Sequence, residues 1–156
     1  MHLFRVLRQA VLLASIARAA SAQCIPADFP ADYLERAEAA GGHTLARHVG
    51  KSDDWLMARL ASDAHLHVAS SYIDRETAEA AIETLLSRHR DRLNRWVERT
   101  PEGAEFTVRG AADRTIGRTA WRPVGADHLA DSRTLVVVVK KAGAASCLVL
   151  TSYPGS

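Results

Sequence analysis

Two histidines of this 156-residue chain, His43 and His48, sit close together in the word GGHTLARHVGK, which also carries Lys51. Imidazole changes charge near neutral pH, so either ring suits a proton transfer. Arg59, Lys51 and the Lys140–Lys141 pair are cations that can hold an anion, and Thr151 and Tyr153 are hydroxyls that can position one. Such a set serves a reaction that moves a proton while negative charge develops on an oxygen. Other chemistries lack their words here: there is no Walker loop, dinucleotide fingerprint, HExxH site or paired CxxC. His43 and His48 are five residues apart, so they share no helical face, and no third residue is spaced to complete a zinc site. His65 and His67 alternate as a strand pair would, again without a partner. A histidine picked from a sequence serves equally well as a hydrogen-bonded structural residue, and that reading stays open for His43.

Several elements must bring these residues together. DYLERAEAA, residues 32–40, is helix-forming and stops at Gly41-Gly42. Ser52-Asp53-Asp54 reads as an N-cap with an acidic first turn, opening a helix through Trp55, Leu56, Met57 and Leu60. Residues 67–73 are strand-like. Asp74 then caps a helix with Ala78, Ala81, Ile82, Leu85 and Leu86 at helical spacing, and Leu93, Trp96 and Val97 continue a similar face until Thr100-Pro101. Beyond that point strands are expected over 105–109, 114–121, 134–140 and 146–153, the last two joined by a hairpin loop over 141–145. Helices followed by antiparallel strands define an α+β fold around one core. Thr151 and Tyr153 then project to one face of the last strand, with Ser152 on the other. Lys140 is expected beside Thr151 across that strand pair.

Composition confines the chain to globular proteins, with 47% hydrophobic and 24% charged residues. Its formal charge of +2 is misleading. Residues 1–22, with Arg5 and Arg8, an apolar stretch around Val11–Ala14 and the small-x-small site Ala20-Ser21-Ala22, read as a secretory signal peptide. The apolar run is about half of the ~20 residues that span a bilayer, so no permanent membrane anchor is expected. Cleavage after Ala22 removes three arginines and no acid, leaving 17 basic and 18 acidic groups, a net charge of −1. That charge is unevenly placed: residues 28–83 hold 5 basic and 11 acidic groups, net −6, and residues 84–156 hold 12 and 7, net +5. A polyanion would meet the second half. The same arginines also suit a solvated helix face. In an exported chain Cys24 and Cys147 are read as one disulfide tying an N-terminal arm, residues 23–34, to the last hairpin. Two free thiols are the other reading.

The ordered series GGHTLARHVGKSDDWLMARL, ASSYIDRETAEAAI, a Trp-containing helix, an IGR segment, and LVVVVKK and LVLTSYP flanking a hairpin resembles the bacterial RNase A-like toxin domain of contact-dependent growth inhibition proteins and related secreted toxins. The likeness runs over roughly residues 35 to 154, and a domain is expected over 35–156. It implies a fold similar to pancreatic ribonuclease without its disulfide framework, and a metal-independent endoribonuclease without a cofactor. Its proposed site pattern implies His48, Arg59, Thr151 and Tyr153 as the catalytic residues. His43 is a secondary candidate for the second proton carrier, and Lys140 and Lys51 are candidates for substrate binding. RNA is the implied substrate and a cognate immunity protein the implied partner. The expected setting is the periplasm or the exterior, with delivery to a target-cell cytoplasm if the chain is a toxin. A non-catalytic RNA- or protein-binding module retaining the fold, and an envelope adaptor, are the alternatives.

Overall fold

The computed structural model describes residues 23–125 and 128–155. The expected signal peptide, residues 1–22, lies outside the described residues. Among those described, the order is α1 (Tyr33–Ala39), α2 (Thr44–His48), α3 (Asp53–Ser62), β1 (Val68–Tyr72), α4 (Arg75–Arg88), α5 (Arg90–Arg99), β2 (Glu105–Ala111), β3 (Gly117–Trp121), β4 (Leu129–Ser132), β5 (Thr134–Lys141) and β6 (Cys147–Pro154). The fold is α+β and its strands pair antiparallel, as expected from the pattern of elements.

Local chemistry places the helix starts. Ser52 has extended backbone and its Oγ accepts from the Trp55 N–H, with Asp53 and Asp54 in the first turn, which opens α3. The Asp74 carboxylate accepts from the Thr77 N–H at 2.7 Å and opens α4. The apolar face expected to run unbroken to Thr100 is instead divided at His89, which ends α4 and begins α5. At the far end of α5 the buried Lys141 ammonium donates to the carbonyls of Val97 (2.6 Å) and Thr100 (2.7 Å). A cation is well placed there, against the negative end of the helix dipole. Lys141 therefore caps a helix and is not an anion-stabilising group of the site.

Two three-stranded sheets follow, in the orders β1-β3-β4 and β2-β5-β6. The strand expected over 114–121 begins only at Gly117, and β4 is a further strand that the sequence pattern does not signal. His65 and His67 precede β1 in a turn and its exit, and form no strand pair. The second sheet buries Leu135, Val137, Val139, Val108 and Val149 with Ile82, Leu85 and Leu86 of α4, Leu93 and Val97 of α5, and Leu34 of α1. The first sheet has a smaller core: Leu56 and Leu60 of α3 against Ala69 and Ala120. Each fully buried leucine contributes roughly 1.5–3 kcal/mol.

The arm is fastened at several points, among them Arg75, which donates to the Ala31 carbonyl at 3.1 Å. Cys24 and Cys147 are joined by a disulfide, the Ile25 N–H donates to Asn94 Oδ1 at 3.0 Å, and Arg90 donates to the Ala27 carbonyl at 2.9 Å. One of the arginines that decorate α5 thus holds chain, not solvent alone. Among the described residues no helix is long and apolar enough to cross a membrane.

Candidate active site

The site is assembled where α2 passes between the two sheets. Gly42 permits this: a Cβ there would lie 2.8 Å from both the Ala37 and Val149 carbonyl oxygens, so only glycine lets α1, α2 and β6 approach so closely. The next residue, His43, donates its backbone N–H to the Leu150 carbonyl at 3.0 Å. Leu150 is the extra residue of a β-bulge, because Val138 pairs with Thr151 whereas Val139 pairs with Val149. Buried Thr44 completes the joint, its Oγ1 accepting from the Ser152 N–H at 2.9 Å. At the other end of α2, Gly50 takes φ +66° and donates to the Tyr72 carbonyl.

His48, the last residue of α2, is thereby held between β1 and β6. Its Nδ1 lies 3.1 Å from the Ser70 carbonyl oxygen, which can only accept. Nδ1 carries the proton, and Nε2 is left as the basic nitrogen of the neutral ring. Burial pushes the imidazole down to about 4; the Ser70 hydrogen bond opposes this, and the nearby charges of His43, Arg59 and Arg47 add to it. On the β6 side the Tyr153 ring lies 5.3 Å from His48, centroid to centroid. Thr151 shares that face of β6, and its Oγ1 is buried with no hydrogen-bond partner among the described residues. A buried hydroxyl left so is one that a ligand atom can satisfy.

Ser152, on the opposite face, is fully buried and fixes the strand. Its Oγ donates to the Val136 carbonyl at 2.8 Å, which uses its one hydrogen, so the Tyr72 hydroxyl must be the donor in their 2.6 Å contact. The Tyr72–Ser152 contact is a strut from β1 to β6 directly behind the site. The word ASSYIDR is thus explained: Ser70 orients His48, Ser71 Oγ accepts from the Lys51 N–H at 2.9 Å, Tyr72 braces β6 and Asp74 caps α4.

Of the other candidates, His43 stands 6.4 Å from His48 between ring centroids, its pKa lowered by burial and by Arg47. Arg59 lies in the last turn of α3, close enough to act on the His48 charge. Lys51 and Arg59 both lie over the Trp55 ring, at 5.4 and 5.5 Å from its centroid. Lys140 is not beside Thr151. The register places it opposite Leu148 on β6 and Glu105 on β2, whereas Thr151 lies opposite Val138, two residues earlier on β5. The positions that sequence reasoning passed over, Thr44, Ser70, Tyr72 and Ser152, are buried or backbone-mediated supports. Their only signal was the unusual composition of the ASSY word and the alternation of β6.

Residues 42–154 match the model of the family described as the bacterial CdiA-CT RNase A domain, and the chain belongs to that family. The fold is also that of the solved structure of a CdiA-CT/CdiI complex from Y. kristensenii, with a TM-score of 0.64 and 23% identity over 74% of this chain and 100% of that one. No curated protein sequence matches the chain. The chain is thus a member of a ribonuclease toxin-domain family with an RNase A-like α+β fold.

Proposed function

We propose that the protein is an exported endoribonuclease that cleaves RNA by transphosphorylation and acts as an antibacterial toxin. The observation that carries this is the His48 ring, fixed through Nδ1 on the Ser70 carbonyl so that Nε2 is its basic nitrogen, 5.3 Å from the Tyr153 ring on the face of β6 that also carries the unpartnered Thr151 hydroxyl. In this reading His48 Nε2 takes the proton of the substrate's 2′-hydroxyl. The 2′ oxygen then bonds to the adjacent phosphorus, the P–O5′ bond breaks, and a 2′,3′-cyclic phosphate and a 5′-hydroxyl are formed. The depressed His48 pKa suits a base, since the ring is neutral at pH 7. Arg59 holds the phosphoryl oxygens as charge develops, with a planar fork that never loses its charge. The unpartnered Thr151 hydroxyl takes a polar atom of the phosphate or base. Tyr153 donates to the leaving oxygen. His43 is the secondary candidate for that step, a weaker one because its pKa is lowered and a neutral ring is a poor acid.

No metal enters the mechanism, because the nucleophile comes with the substrate and need not be generated from water. Export is supported by the signal-like segment 1–22 and by the Cys24–Cys147 disulfide, which belongs to an oxidising compartment. The relative of this fold was solved in complex with a second protein, and we extend this to a cognate immunity protein covering the cleft. Lys51, tied by its backbone to Ser71, is a candidate phosphate contact.

The test is incubation of the oxidised protein with RNA in EDTA. Cleavage with cyclic or 3′-phosphate ends, lost by at least a hundredfold in His48→Ala, is expected. Undiminished cleavage by His48→Ala overturns the assignment, and RNA binding without turnover by the parent makes it a binding module.

A further inference from the structure

Trp55 stands apart from the other two tryptophans. Trp96 packs edge-on to Phe106, and Trp121 edge-on to His128, whereas Trp55 is 36% exposed and has no aromatic neighbour among the described residues. Its helix puts it one turn before Arg59, on the same face, while Leu56 and Leu60 take the buried face. What lies over its ring is charge: the Lys51 ammonium and the Arg59 guanidinium. Among the described residues neither cation pairs with a carboxylate. At more than 5 Å from the centroid both are held loosely enough to exchange for a stacking group.

An exposed π-face bordered by two unpaired cations, with His48 close by, matches a nucleotide: a flat base between two phosphates. A protein partner's apolar anchor would gain the ring but leave both cations to be desolvated without a counter-charge. We infer that Trp55 is a nucleobase platform, stacking the base on the α3 side of the scissile phosphate while Arg59 and Lys51 leave the ring for the phosphates on either side. This rests on the ribonuclease reading and adds a binding subsite to it. In the free protein the indole parks Arg59; in the complex the base replaces it, so base binding and delivery of the guanidinium to the phosphate are one event. Stacking tolerates any base, so this subsite contributes affinity without strong sequence preference.

The experiment uses trinucleotides with one cleavable ribose, 2′-deoxy elsewhere, carrying either a natural base or an abasic residue on each side of the scissile phosphate. Trp55→Ala is expected to raise KM roughly tenfold, the scale of one lost base stack, with kcat within about twofold. Trp55→Phe keeps most of the parent affinity. With the abasic residue at one flanking position only, the parent and Trp55→Ala converge on the same KM. A Trp55→Ala penalty that is the same with and without a base at both positions, or no penalty at all, overturns the platform; the second result leaves the indole to a protein surface. If the parent cleaves nothing, the ribonuclease reading fails separately. Quenching of indole fluorescence by an all-deoxy oligonucleotide then decides: more quenching in the parent than in Trp55→Phe supports the platform, and equal quenching overturns it.

Discussion

The two walls of the site are built to different standards. Among the described residues, the β2-β5-β6 wall, which carries Thr151 and Tyr153, rests on a cluster of eighteen buried residues and is stitched to the arm by a disulfide. The β1-β3-β4 wall, with α3 and its Arg59 and Trp55, rests on four. Polar ties supplement it: Arg118 reaches Asp53 at 3.0 Å and Asp131 at 2.7 Å, and Arg122 donates to the carbonyls of Leu60, Leu66 and Asp63 at the end of α3. Partly exposed ion pairs of this kind contribute little stability each, about 1 kcal/mol or less. The contrast separates two duties: one wall carries most of the buried core together with the β6 hydroxyls, and the other carries the cation and the exposed indole that we propose as contacts for the substrate.

The largest effect tests the heavy wall. Replacing both cysteines by serine removes a cross-link spanning 123 residues, worth about 4–5 kcal/mol in the chain-entropy model. A much lower denaturation midpoint is expected, with kcat/KM of the still-folded protein unchanged. Activity lost in step with the bridge would show that the two walls are not separable. Next in size is a matched pair in the two cores. Leu86→Ala and Leu60→Ala each remove a fully buried leucine, at about 2–5 kcal/mol. Under conditions where both variants are folded, RNA cleavage is expected to fall only for Leu60→Ala, because Leu60 is one of the two buried leucines that seat α3 and it adjoins Arg59. Equal kcat/KM for the two variants would remove the distinction.

Much of this division was legible in the amino-acid order, and the illegible part has physical causes. Helix starts at Ser52 and Asp74 could be read because capping is local. The β5 and β6 strands could be read because each contains a short apolar run, Leu135–Val139 and Cys147–Leu150, on either side of a turn-forming segment. β4, with LADS, has neither alternation nor length, and exists because β3 offers it an edge. Lys140 is misplaced because the register of β5 on β6 is set by tertiary pairing: Thr151 lies opposite Val138, two residues before Lys140. Lys141 looked like a free cation next to Lys140, and only the tertiary approach of α5 to β5 makes it a buried cap. Residue chemistry offers His48, Arg59, Thr151 and Tyr153 among several candidates, and the family resemblance singles them out. Spacing alone does not show that a carbonyl of β1 would set the His48 tautomer.

A pH titration sharpens the comparison where the walls meet. Burial holds His48 at about 4, below the ordinary 6.5, so between those values the unfolded chain binds a proton that the folded one refuses. Stability from this group is complete above about pH 6.5 and is lost as the pH falls toward 4, by up to about 3 kcal/mol. His43, lowered in the same direction, adds with the same sign. Chemical denaturation at a series of pH values should show the decline, shallower in His48→Gln. The acid limb of kcat/KM should fall near pH 4; a limb at 6.5 would mean that the cleft is far wetter than its burial indicates.

The smallest change is aimed at the strut itself. Tyr72→Phe keeps the buried ring and removes only the hydroxyl that donates to Ser152 Oγ, a loss of about 1–2 kcal/mol. Its interest lies in what it separates. Ser152 still donates to Val136, so the heavy wall keeps its own hydrogen bonds, while the tie carrying β1 and the Ser70 carbonyl toward β6 is gone. If the strut sets the distance between His48 and the hydroxyls of β6, kcat/KM measured well below the melting transition drops several-fold, while the melting temperature falls by only about 3–8 °C. Ser152→Ala made on top of Tyr72→Phe should then cost less than it does in the parent, since the two groups act through one bond. Full additivity of the two substitutions, with cleavage unchanged in Tyr72→Phe, would mean that the light wall is positioned by α2 and the Val49–Tyr72 backbone bridge alone.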